Sequence, residues 1–151
     1  MKTTIDYYLG RVLIALLAIM TLDVLWGVFT RYALGSQASW TEELARFLLI
    51  WIGTLGAAYA SGQRMHLAID LLSPKLAPGP ARKLEILIAA LIIFFVLTVM
   101  VVGGLRLIYI TVHLTQTSAA MQVPMGIVYG VIPLSGLLVI YYKWEGLRHA
   151  G

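Results

Sequence analysis

Apolar residues run almost unbroken through four stretches of this 151-residue chain, and polar residues collect between them. The first stretch covers about residues 8–32, and its central part is interrupted by a single acid, Asp23. The second covers residues 41–62, with Arg46 near its start and no charge from position 47 to 63. The third, residues 84–112, has no charged side chain between positions 86 and 102 and carries Arg106 further on. The fourth, residues 123–143, opens beside Pro124 and holds Pro133 in its interior. A bilayer-spanning helix needs about 20 predominantly apolar residues. In lipid the backbone must bond internally, which makes helices the expected form of such runs. The pattern predicts an all-α integral membrane protein, one four-helix transmembrane domain over residues 1–151. Pro124 suits a first helical turn, and Pro133 predicts a kink.

The polar segments orient these spans. Arg64, Lys75, Arg82 and Lys83 lie between spans two and three, Lys2 and Arg11 precede span one, and Lys143 and Arg148 follow span four. The other two connections, about residues 33–39 and 114–122, carry almost no positive charge. Lys and Arg stay on the cytoplasmic side, so both termini and the middle loop are expected inside. Tyrosines and tryptophans at the span ends fit the aromatic belts of a bilayer interface. In the middle loop Ser73-Pro74 and Pro78-Gly79-Pro80 are breakers, and residues 66–72 between them fit a short interfacial helix. The first apolar run is followed by no cleavage-site pattern, which favours a retained span over a signal peptide.

Composition narrows the function class. Apolar residues make up 60% and charged residues 12%, and the mean hydropathy is +0.88. Soluble domains carry about 25% charged residues, so lipid is the expected solvent for this surface. The net charge of +4 does not imply nucleic acid, because the basic residues sit at segment ends and form no stripe. With no cysteine, disulfides, thiolate nucleophiles and cysteine metal sites are excluded. No Gly-rich phosphate loop, catalytic triad or metal-spaced cluster occurs, and no enzyme activity is expected.

A few residues stand out against the apolar background. Asp23 and Arg106 lie within spans at similar depth, where charge is unfavourable and is functional or paired. One reading is a proton or cation relay; the other is an intramembrane ion pair or contact with a partner subunit. Ser39-Trp40-Thr41-Glu42 has the spacing of a capping box, with Ser39 as N-cap and Glu42 reaching back. Glu42 and Glu43 fall in a first turn that favours anions, and Arg46 shares their face. With Arg31 ending the preceding span, the five residues Arg31, Trp40, Glu42, Glu43 and Arg46 are candidates for a structural fastening or a docking edge. His66 and His149 lie on one side and His113 on the other, about 30 Å of hydrocarbon apart, so His66 and His113 cannot share a haem iron. Small residues at Gly53, Gly56, Ala57 and Ala60, a Gly126–Gly130 GxxxG pair and Gly103-Gly104 fit close helix packing.

The series Arg31-Tyr32, then Trp40-Thr41-Glu42-Glu43-Leu44-Ala45-Arg46, then Trp51, Gly56-Ala57-Ala58 and Arg64-Met65-His66-Leu67-Ala68-Ile69-Asp70 resembles the small, DctQ-like membrane subunit of the tripartite ATP-independent periplasmic (TRAP) transporters. The resemblance implies uptake of an organic acid, a dicarboxylate, sialic acid or other sugar acid, driven by a cation gradient, commonly sodium. It implies two partners: a periplasmic substrate-binding protein and a large membrane subunit that carries the solute and sodium sites. This chain would be a scaffold packed on that subunit, with no solute or cofactor site of its own. Arg64, His66 and Asp70 would then fasten the cytoplasmic end of span two, as the Arg31–Arg46 group fastens the other. The competing reading is an autonomous four-helix proton-coupled multidrug exporter using Asp23; a third is a haem-bearing anchor subunit.

Overall fold

The computed structural model describes residues 2–63 and 78–149. The expected short helix at 66–72 and the residues Arg64, His66 and Asp70 lie outside them. Helix α1 is Lys2–Ala33 and α2 is Ser39–Gly62. The third span is composite: α3, Pro78–Phe95, runs into a π-helical stretch, Val96–Gly103, and then into α4, Gly104–His113. The fourth is broken into α5, Met125–Tyr129, and α6, Val131–His149. No strand occurs among the described residues, only an isolated bridge between Thr117 and Pro124. Four helical stretches, Thr4–Ala33, Ser39–Gly62, Ile86–His113 and Met125–Leu147, are long and apolar enough to cross a membrane. The chain is an all-α integral membrane protein with four spans.

The spans alternate in direction, so one end of the bundle carries the start of α1 and the end of α6, and the other carries the loops at 34–38 and 114–124. α1 packs along α2, α2 packs on α6, and α6 packs on the π-helical stretch. Leu9, Leu55, Val131 and Tyr142 form one buried cluster, and Ala58, Val96 and Val139 form another. The remaining apolar surface is turned outward. Ile14, Leu17, Leu22, Leu25 and Phe29 on α1, and Leu87, Leu91, Phe94 and Phe95 on α3, are all exposed. A particle with that surface has hydrocarbon as its solvent.

Proline and glycine set the shape of the last two spans. Pro133 has no N–H to offer the Tyr129 carbonyl one turn back, and its ring crowds that carbonyl. The helix accordingly breaks at Gly130, whose own N–H turns to the Ile127 oxygen at 3.2 Å. The nearby Val128 carbonyl accepts the indole N–H of Trp51 on α2 at 3.1 Å. The expected kink is therefore a break, closed by a bond from a neighbouring helix. Glycine lets the third and fourth spans touch. A Cβ at Gly104 would lie 2.9 Å from Pro133 Cδ, one at Gly126 2.7 Å from Val112 Cγ2, and one at Gly136 3.0 Å from Met100 Cβ. Gly126, the first residue of the GxxxG pair, thus serves the protein's own bundle.

Candidate functional site

The loop end of the bundle holds most of the residues singled out in the sequence. α2 begins at Ser39, and its N-cap is Ala38 in an extended conformation, with no side chain capping the first turn. The expected capping box does not form. Ser39 already belongs to the first turn, one position too late to cap it. The hydroxyl of Thr41 donates back to the Ala38 carbonyl at 2.7 Å. Its hydroxyl also packs against Gly27 of α1, where a Cβ would come within 3.1 Å of Thr41 Oγ1. Thr41 and Gly27 close the α1–α2 corner.

Glu43 makes no ion pair with Arg31 or Arg46 and reaches across the bundle. Its carboxylate accepts the Ala120 amide at 3.0 and 3.1 Å and the Met121 amide at 2.9 Å. The loop it holds is a tight reversal. Ser118 N–H donates to the Val123 carbonyl at 2.9 Å, Val123 N–H to the Ser118 hydroxyl at 3.2 Å, and Met125 N–H to the Gln116 carbonyl at 2.9 Å. Thr115 and Gln122 take positive φ values of 47° and 55° to make the turn. Two amides that face no partner within the loop are thus bound by one carboxylate, the stronger kind of hydrogen bond. Beside it, Glu43, Arg46, Phe47, Gln116, Ser118 and Tyr129 line an open depression of about 440 Å³.

The four charged members of the expected group are divided. No ion pair forms among Arg31, Glu42, Glu43 and Arg46, all of which are described residues. Arg31 and Glu42 instead line a second cavity, of about 260 Å³, with Asp23, Gly27, Gln37 and Thr41. Trp40 is exposed at the start of α2. The structure does not join Asp23 to Arg106. Asp23 is only 5% exposed, and neither of its carboxylate oxygens has a hydrogen-bond partner. Arg106 is exposed on α4. The helices explain the separation: α1 lies against α2, whereas α4 lies against α5.

At the terminal end Tyr142 donates its hydroxyl proton to Asp6 at 2.6 Å. Tyr142 is 5% exposed, so it ties α6 to α1 and is no part of an interfacial belt. Its ring lies against Gly62, where a Cβ would come within 2.8 Å. Arg11 sits over the Tyr7 ring at 4.1 Å. No group of three His, Cys, Asp or Glu side chains suited to a metal ion occurs among the described residues.

Comparison with known proteins decides what this bundle is. Residues 20–145 match the family model described as "Tripartite ATP-independent periplasmic transporters, DctQ component". The chain belongs to the DctQ family. It is 30% identical over 111 residues to the C4-dicarboxylate TRAP transporter small permease protein DctQ of Rhodobacter capsulatus, covering 71% of this chain and 47% of that one. The ectoine TRAP transporter small permease protein TeaB of Halomonas elongata is 27% identical over 161 residues, 97% of this chain and 78% of the relative. The isethionate TRAP transporter permease protein DctMQ of Oleidesulfovibrio alaskensis is 30% identical over 132 residues, which is 85% of this chain but 20% of that protein.

Membership makes this DctQ-type chain a transporter component and not an enzyme, and it displaces the exporter and haem-anchor readings. In the DctMQ relative, a TRAP transporter permease protein, the matching region is a fifth of one longer polypeptide. Sequence reasoning found Glu43 but missed its partner, because residues 118–121 carry no motif. It missed the Tyr142–Asp6 and Trp51–Val128 bonds for the same reason.

Proposed function

We propose that this chain is the small scaffold subunit of a TRAP-type secondary transporter in the bacterial inner membrane. It packs on the large transport subunit and binds no solute itself. The transporter takes up an organic acid with a periplasmic binding protein, using a cation gradient, sodium by the family resemblance. The termini and the Arg64–Lys83 loop face the cytoplasm, following the placement of positive charge, and the Glu43-held loop faces the periplasm.

The observation that carries this reading is the DctQ match over residues 20–145, most of the chain. The architecture supports it: carriers that move solute alone place broken helices and polar sites at the midplane between repeats. Here the helix break at Gly130 is sealed by Trp51, and the span surfaces are apolar. Isethionate and C4-dicarboxylates, for which two relatives are named, are organic anions.

The test is reconstitution. Proteoliposomes holding this chain with its cognate large subunit and binding protein should take up solute under a sodium gradient, and those holding this chain alone should not. Uptake by the lone chain, or labelling of the Arg64–Lys83 loop from outside the cell, would overturn the reading.

A further inference from the structure

The geometry points to one flank of the bundle, formed by α1 and α2, as the seat of a transmembrane helix of the large permease subunit, which brings a lysine or arginine side chain to Asp23. This rests on the functional reading above and adds the surface and the chemistry of the contact.

Two independent observations meet there. The first is Asp23. Its side chain is buried within a membrane span, no donor reaches either oxygen, and it borders the cavity shared with Arg31, Gln37, Thr41 and Glu42. A buried carboxylate without a partner is strongly unfavourable, and such groups in membranes are paired. The charged side chains of the cavity are Asp23 and Glu42 against Arg31, one more acid than base. A single cationic side chain balances the site.

The second is the outward stripe of α2. Glu42, Arg46, Leu49, Gly53, Ala57 and Ala60 follow the three- and four-residue spacing of one helix face, and all six are exposed. A Cβ at Gly53 or at neighbouring Gly56 would meet nothing within 4 Å, whereas those at Gly62, Gly104, Gly126 and Gly136 would all collide with side chains of this chain. The outward faces of α1 and α3 carry large side chains such as Leu17, Leu25, Leu91 and Phe94, the kind of surface that lipid tails solvate. Small residues give lipid little to grip but let a foreign backbone approach closely. Glu42 belongs to both features, so the cavity opens at the loop end of the same flank. The occupant is the large subunit because in the DctMQ relative the matching region is covalently part of a protein about five times as long.

The chain has no cysteine, so single-cysteine variants need no background changes. In membranes containing the cognate large subunit, benzophenone maleimide on Gly53→Cys or Ala57→Cys should crosslink to that subunit on irradiation. The same probe on Phe94→Cys should give at least ten-fold less product. Asp23→Leu and Ala57→Phe should each lower co-purification of the large subunit at least ten-fold, with Asp23→Asn between them and the wild type. Crosslinks chiefly from Phe94→Cys, or undiminished co-purification of Asp23→Leu, would overturn the proposal while leaving the scaffold reading intact. Failure of the wild-type chain to co-purify at all would overturn both. The crosslinking arm uses exposed positions, so it decides the matter even where Asp23→Leu fails to fold.

Discussion

Two sets of small residues in this bundle look alike in sequence and behave in opposite ways. Along the seam between the third and fourth spans, a methyl group added at Gly104, Gly126 or Gly136 would press within 2.7–3.0 Å of a neighbouring side chain. On α2, the same group added at Gly53 or Gly56 would meet nothing within 4 Å. The seam spends its glycines on internal contact, and the α2 stripe leaves them unused. Since a glycine in a helix interior is itself unfavourable by about 0.5–1 kcal/mol relative to alanine, the open pair carries that penalty with no return inside this chain. The contrast separates the residues that build the bundle from those that are left for a neighbour.

The contrast can be broken or sharpened by substitution, read as the midpoint of SDS-induced unfolding by circular dichroism of the purified chain. The largest effect is expected for Gly126→Leu or Gly136→Leu. Val112 is stiff at χ1, and Met100 meets Gly136 through its Cβ, which cannot rotate away; such overpacking costs about 1–3 kcal/mol or more. An unchanged midpoint would show that the seam can open freely. Next comes Glu43→Ala, which removes a charged acceptor from two loop amides. Hydrogen bonds to a charged acceptor are the stronger kind, but because the loop is exposed, water recovers part of the loss. A lowered midpoint is expected, together with faster proteolysis at residues 118–121. Glu43→Gln, which keeps a carbonyl acceptor, should lose less.

Tyr142→Phe should cost about 1–2 kcal/mol, the worth of a hydrogen bond to the Asp6 side chain less its rehydration, with α1 protecting its amides less from hydrogen exchange at its N-terminal end. The smallest effect, and the one of opposite sign, is for Gly53→Ala. The isolated chain should gain about 0.5–1 kcal/mol from better helix propensity. A loss comparable to that of Gly126→Leu would show that Gly53 packs within the chain after all, and the distinction between seam and stripe would fail.

The four spans were legible in the sequence because hydrocarbon imposes a length and a composition that few other structures share. The break near Pro133 was legible because proline removes a specific donor. The capping box was misread because its spacing is satisfied equally well by a helix that starts one residue earlier. Glu43 was expected to act with Arg31, Glu42 and Arg46, but the amides it binds lie 77 and 78 positions away, and backbone amides have no sequence signature. Asp23 and Arg106 were singled out as charges within spans at similar depth, yet depth alone cannot say which helices lie side by side. The small residues of α2, and Gly104 and Gly126 of the seam, were noted as packing residues, whereas Gly136 was not; only the arrangement of the spans distinguishes filled positions from bare ones.

The π-helical stretch at Val96–Gly103 has a consequence for how this chain tolerates change in length. Each α-helical residue turns the helix by about 100°, so deleting one from α3 would swing everything upstream of it away from the fourth span. A π-helical turn holds more residues than an α-helical one. A one-residue deletion inside Val96–Gly103 can therefore be absorbed by tightening that turn, leaving Ala89 on one side and Gly104 on the other aimed as before. The third span thus contains its own slack, and single-residue gaps among homologous chains should fall there more often than in the uniform helix of α1.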